Sequence, residues 1–224
     1  MADVFHRSVN LVGAAGQLEA LLWTSSLDDP PLVALVCHPH PLFGGPMHNK
    51  VVYQTAKILH RHGMAVLRFN FREVGLSEGT HDKGRGEADD VRTAVDYLAA
   101  EFPSRPILLA GFSFGAWVGL RVGCEDSRVS DLVGLGIPVN DSDFSYLADC
   151  AKPKLFLLGG RDQFASRERV EKLFLQLPEP KELYFVRDAD HFFKDHLPEM
   201  AGALDAWLAV QHPELKKITP ESHR

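Results

Sequence analysis

The chain has 224 residues, of which 45% are hydrophobic and 24% charged. That is enough to bury the core of a folded domain, and too apolar for a disordered chain. A formal net charge of −6 argues against a nucleic-acid or anionic-membrane partner, and no apolar run approaches the roughly 18 residues that span a bilayer.

In chain order, Met1-Ala2-Asp3-Val4-Phe5-His6-Arg7 lacks the apolar centre of a secretory signal. Cys37, Cys124 and Cys150 show no CxxC spacing, so they read as buried free thiols rather than a disulfide framework or a zinc site. Both features predict a cytoplasmic protein. Val9 to Thr24 alternates around a turn at Gly13 to Gly16, which predicts an antiparallel hairpin. Leu32 to Cys37 is a continuous apolar run, as expected of a strand covered on both faces. A helix follows from Asn49 to His62 and stops at Gly63, and Met64 to Phe69 is the next strand. Ala88 to Ala100 is a helix, Ile107 to Ala110 a strand, and another helix starts after Ser113. Leu132 to Ile137 and Leu155 to Leu158 are strands, Glu168 to Leu177 a helix, Leu183 to Val186 a strand, and Leu197 to Val210 the closing helix. Repeated βα units imply a parallel sheet with helices on both faces. With the leading hairpin, about eight strands use up the chain, so one domain is expected over residues 1–211, with a polar, frayed tail at 212–224.

Gly111-Phe112-Ser113-Phe114-Gly115 lies between a strand and an apolar helix, the setting that the G-x-S-x-G pattern requires. Such a turn is too sharp for a β-carbon at either glycine, strains the serine backbone, and puts its hydroxyl at a helix N-terminus. A serine hydroxyl needs a base, and the base an orienting carboxylate. In the chain order Ser, acid, His, the loop after the last strand supplies His191, and the loop after the strand before it, Gly159-Gly160-Arg161-Asp162-Gln163, supplies Asp162. Asp190, adjacent to His191, fits a loop-shaping role, and Asp141 and Asp143 are rival acids after an earlier strand. His196 is expected to cap or decorate the last helix.

An oxyanion hole needs two N–H donors. One is expected from Phe114. The other is expected from the loop His38-Pro39-His40-Pro41-Leu42-Phe43-Gly44-Gly45-Pro46, where prolines remove several donors; His40 is favoured and Leu42 is second. His38 and His40 have no third ligand nearby and are expected to brace the loop rather than bind metal. Arg72 reads as a satisfied loop arginine. Gly84-Arg85-Gly86 lacks the Gly-Lys-Ser/Thr ending of a phosphate loop. Phe112, Phe114 and Trp117 either line an acyl pocket or belong to the core.

These residues together resemble the α/β-hydrolase superfamily, most of all its small, single-domain, dienelactone-hydrolase-like bacterial serine hydrolases. The resemblance is carried by His38-Pro39-His40-Pro41 with Gly44-Gly45, Asn49-Lys50-Val51-Val52, Leu67-Arg68-Phe69-Asn70-Phe71-Arg72, Gly111-Phe112-Ser113-Phe114-Gly115, Asp162, and Ala189-Asp190-His191-Phe192-Phe193. It implies the α/β-hydrolase fold, a Ser113–His191–Asp162 triad, cleavage of esters or related acyl compounds, and no metal or organic cofactor. Many relatives carry Gly where this chain has Glu73, in Arg-Gly-x-Gly-x-Ser, which weakens the expectation of a left-handed turn there. The nucleophile is Ser rather than the Cys of dienelactone hydrolases proper, which argues against a dienelactone substrate.

The expected function is hydrolysis of short-chain carboxylic esters by a monomer or homodimer acting on a small molecule. Thioesterase or peptidase activity on the same triad and a non-catalytic binding role are the alternatives. Pro138 to Pro153 holds only one short helix, Ser142 to Cys150, so the lid is expected to be minimal and the site open.

Overall fold

The computed structural model describes residues 6–25, 27, 29–43, 45–215 and 217. Eight strands form one sheet in the order β1-β2-β4-β3-β5-β6-β7-β8. They are β1 (His6–Gly13), β2 (Gly16–Trp23), β3 (Val33–Cys37), β4 (Ala65–Phe69), β5 (Ile107–Phe112), β6 (Val129–Leu135), β7 (Lys154–Gly159) and β8 (Lys181–Val186). β1 and β2 form the expected hairpin, with Gly13 opposite Gly16, and β2 lies antiparallel to β4. All other pairings are parallel.

Five helices cover the sheet: α1 (Lys50–Arg61), α2 (Arg85–Glu101), α3 (Phe114–Glu125), α4 (Arg167–Gln176) and α5 (Leu197–Gln211). Strand side chains alternate between faces. Val33, Leu35 and Cys37 therefore join one buried cluster with Val91 of α2, Leu120 of α3 and Val170 of α4. Ala34 and Val36 join the other, with Val52 of α1 and Leu204 of α5. β5 lies inside the sheet and all six of its residues are buried, whereas β8 is an edge strand with alternating exposure.

Several boundaries differ from the sequence reading for identifiable reasons. α2 starts at Arg85, ahead of its apolar stripe. The buried Glu87 carboxylate accepts from Gly84 N–H (2.7 Å) and Asp82 N–H (2.8 Å), satisfying donors that would otherwise start the helix later. β6 begins at Val129 because Asp131, a residue that argues against a buried strand, has a partner: His212 Nε2 lies 3.1 Å from its carboxylate. The segment 138–153 holds only a 3-10 turn at Ser145–Asp149, shorter than the helix expected over Ser142 to Cys150. The frayed tail is also corrected for its described residues. His212 docks on Asp131, Leu215 is 8% exposed within the α1/α5 core, and Lys217 pairs with Asp205 at 2.7 Å. The rest of that tail call, at residues 216 and 218–224, lies outside the described residues.

Candidate active site

Ser113 occupies the step between β5 and α3 with φ 55° and ψ −118°, a left-handed backbone that non-glycine residues seldom adopt. The flanking glycines make the step possible. A β-carbon on Gly111 would lie 2.4 Å from Gly115 O, and one on Gly115 would lie 2.3 Å from His38 O. The elbow thus needs glycine both to close on itself and to let the 38–45 loop pass beside it.

The loops after β7 and β8 bring the other two groups to Ser113. Ser113 Oγ–H donates to His191 Nε2 (3.0 Å), and His191 Nδ1–H donates to Asp162 Oδ2 (2.8 Å). The second Asp162 oxygen accepts Phe164 N–H at 2.8 Å. His191 and Asp162 are 2% and 8% exposed, so the pair is shielded while Ser113 stays half-buried and reachable. Gly159-Gly160 is the hinge of this arrangement. Gly160 N–H donates to Val186 O (2.7 Å) and Arg161 N–H to Ala189 O (2.9 Å). A β-carbon at Gly159 would sit 2.4 Å from Ala189 O, and one at Gly160 2.1 Å from Arg187 O. Only glycine lets the two loops lie flat together, and that contact sets the distance from acid to base.

The rival acids are placed elsewhere. Asp190 accepts Phe192 N–H and Lys194 N–H and shapes the histidine loop. Asp143 is bonded to Ser145, and Asp141 lines the pocket mouth without reaching His191. His191 itself is held by aromatic rings. Phe112 lies at 5.1 Å, Phe164 edge-on at 4.6 Å and Phe192 edge-on at 5.2 Å between ring centroids. His196 occupies the N-cap of α5 without a side-chain capping hydrogen bond, its Nδ1 3.6 Å from the Glu199 carboxylate in the first turn.

On the opposite wall, Phe114 is the first residue of α3, where an N–H has no intrahelical acceptor. The His40 ring packs against it, centroids 4.9 Å apart, and both residues line the cavity beside Ser113. Leu42 N–H turns to His40 Nδ1 (3.2 Å) and Phe43 N–H to His40 O (3.2 Å), so Leu42 is engaged within its own loop. Among the described residues, neither the Phe114 nor the His40 N–H is paired. His38 braces the loop from beneath. Its Nδ1–H donates to Pro39 O (2.6 Å) and its Nε2 accepts Phe71 N–H (2.9 Å). With both ring nitrogens used, His38 has none to offer a metal. Burial holds it down to about 3, so it stays neutral.

Arg72 is the expected satisfied arginine, bonded to Asp90 at 2.7–3.2 Å and to Gly86 O. Gly84 and Gly86 make room for the Trp117 ring and the Arg72 guanidinium, a packing role. Of the three aromatic residues near the nucleophile, Phe114 lines the pocket, Phe112 supports His191, and Trp117 points away, its Nε1–H on Asp143 O at 3.1 Å. Glu73 keeps the left-handed turn despite its β-carbon (φ 67°), and its carboxylate accepts His81 N–H at 2.6 Å.

Two features escaped sequence reasoning. Behind His40, the His81 ring lies 5.0 Å away with its Nδ1 2.8 Å from the buried Glu87 carboxylate. Around the mouth, Phe43, Phe164 and Phe192 are exposed by 84%, 38% and 51%. They form an apolar collar on a cavity of about 420 Å³ that also takes in Pro39, Pro138 and Ser142. The only signal for the collar was apolar residues in loops that are otherwise polar.

An alpha/beta hydrolase domain family matches residues 35–207. An uncharacterised protein of Rickettsia prowazekii is 37% identical over 205 residues, covering 88% of this chain and 86% of that one. The crystal structure of an a/b serine hydrolase without lid from Xanthomonas campestris superposes with a TM-score of 0.85 at 34% identity, covering 96% of this chain and 97% of the other. An alpha-beta serine hydrolase homologue from Coxiella burnetii gives a TM-score of 0.85 at 35% identity, covering 91% and 97%.

Proposed function

The chain belongs to the alpha/beta hydrolase family, and from that premise we propose that it is a serine hydrolase cleaving short-chain carboxylic esters through a covalent acyl-enzyme. The observation that carries the reading is the continuous relay Ser113–His191–Asp162, bonded at 3.0 and 2.8 Å beside an open cavity. His191 takes the Ser113 proton as the hydroxyl attacks the ester carbonyl. Asp162 holds the imidazole tautomer and stabilises the imidazolium. The N–H groups of Phe114 and His40 receive the developing oxyanion, a contribution on the order of 3 kcal/mol in enzymes where it has been removed. His191 then protonates the departing alcohol, and water, activated in the same way, releases the acid.

The size of the substrate follows from the cavity. A space of about 420 Å³ rimmed by Phe43, Phe164 and Phe192 suits a small apolar acyl group. The segment 138–153 holds no more than a 3-10 turn with which to cover a long chain. The free cysteines fit work in the cytoplasm, on a small molecule and as a monomer or homodimer. No described helix is long and apolar enough to cross a membrane.

The test is hydrolysis of p-nitrophenyl esters of increasing chain length, with Ser113→Ala as control. Turnover that is highest for short acyl groups and vanishes in the variant is expected. No burst and no turnover by the folded parent, even with the acetate, would overturn the assignment. Presenting one acyl group on an alcohol, a thiol and an amine in turn separates esterase from thioesterase and peptidase.

A further inference from the structure

Away from the active site, two of the three cysteines are neighbours. Cys124 lies in the last turn of α3, half-buried, and Cys150 directly follows the Ser145–Asp149 turn, 4% exposed. The chain is clamped so that they meet. Lys152 Nζ donates to Gly123 O (2.6 Å) and Asp126 O (2.5 Å), the carbonyls on either side of Cys124. One turn earlier, Tyr146 Oη–H donates to Trp117 O at 3.0 Å. Both cysteines pack with the core cluster of the α2/α3/α4 face, close enough that each thiol shifts the ionisation of the other.

We propose that Cys124 and Cys150 are a reversible dithiol switch site, oxidised by hydrogen peroxide to a disulfide that staples the pocket-rim segment 138–153 to helix α3. The roles within the pair are unequal. Cys150 pushes the Cys124 thiol up, while Cys124, the Lys152 N–H and the Lys154 and Lys152 charges hold the Cys150 thiol down against the burial that raises it. Cys150 is therefore the attacking sulfur. Its thiolate attacks the peroxide: an S–O bond forms, the O–O bond breaks, and hydroxide leaves. Cys124 then attacks the resulting sulfenic acid: an S–S bond forms, the S–O bond breaks, and the oxygen departs as water with the Cys124 proton. Two thiols and one peroxide become one disulfide and two waters. The sulfurs lose the two electrons that the peroxide oxygens gain, and a dithiol reductant returns them. Cys37 offers the internal contrast. It is wholly buried in β3, where burial pushes its thiol up.

The whole chain is treated with hydrogen peroxide, its remaining thiols are alkylated in denaturant, and tryptic peptides are mapped by mass. Trypsin cuts between the two cysteines at Arg128. The expected product is a cross-linked pair of peptides bearing Cys124 and Cys150, with Cys37 alkylated and the cross-link abolished by dithiothreitol. In Cys124→Ala, Cys150 is left as a sulfenic acid that dimedone labels. Loss of Cys37 in step with the other two, conversion of Cys150 to sulfinic acid with no cross-link in the parent, or no dimedone adduct in the variant would each overturn the proposal.

Discussion

The relay from Ser113 through His191 to Asp162 divides its labour unevenly, and the division is measurable one residue at a time. Asp162 has one oxygen on His191 Nδ1 and the other on Phe164 N–H. In Asp162→Asn the amide can present its NH₂ to His191, which then favours the wrong imidazole tautomer while the loop stays folded. Esterase kcat is expected to fall by about 10⁴ with unfolding unchanged to within about 1 kcal/mol; a loss below tenfold would remove Asp162 from the relay. The grouping of the three residues was legible because each follows a strand end, and a place directly after the last strand sorts one histidine from eleven. The grouping of His81 with Glu87 and His40 was not. It is made through space by a loop without periodicity, and nothing in the spacing of residues 73–87 announces it. The candidate for a second oxyanion donor was legible only as a choice between His40 and Leu42. The ring nitrogen that occupies Leu42 N–H is a matter of rotamer, not of sequence.

At the scale of elements, the strands were easier to read than the points where helices begin. Continuous apolar runs marked β3 and β5 because both faces of a parallel sheet are covered. α2 was read late because its first turn, Arg85-Gly86-Glu87, carries no apolar stripe, and Glu87 was not recognised as closing a capping arrangement. That carboxylate is wholly buried and accepts two backbone N–H groups besides facing His81. In Glu87→Gln one acceptor becomes a donor aimed at other donors. Denaturant unfolding should show a loss of about 1–3 kcal/mol, and kcat/KM should drop by less than Asp162→Asn lowers it, because the group acts only through His81 and His40. Unchanged stability would mean that the first turn of α2 is held some other way.

At the scale of the molecule, the sheet separates two cores, and residues 212–215 beyond α5 close the α1/α5 side rather than trailing from it. The polar composition of residues 212–217 concealed this, since one histidine and one leucine hold the segment. The Asp131 carboxylate raises the pKa of His212 above its ordinary 6.5. A histidine whose folded pKa is raised stabilises the fold fully below its unfolded pKa, and that stabilisation is lost as pH rises through the folded value. His212→Ala should therefore lower the melting temperature more at pH 5 than at pH 9; an equal loss at both would show that packing alone holds the segment. One consequence concerns durability. Ser113 is anchored at the end of β5 inside the sheet, but His191 hangs from β8, an edge strand paired among the described residues with β7 alone. Such margins open locally before the whole molecule unfolds. The amides of Tyr184 and Phe185 should then exchange with deuterium ahead of those of Leu108 to Ala110. On warming, the half-life of catalysis should end while most of the sheet still gives its native spectrum, so that lost turnover reports a frayed margin rather than an unfolded protein.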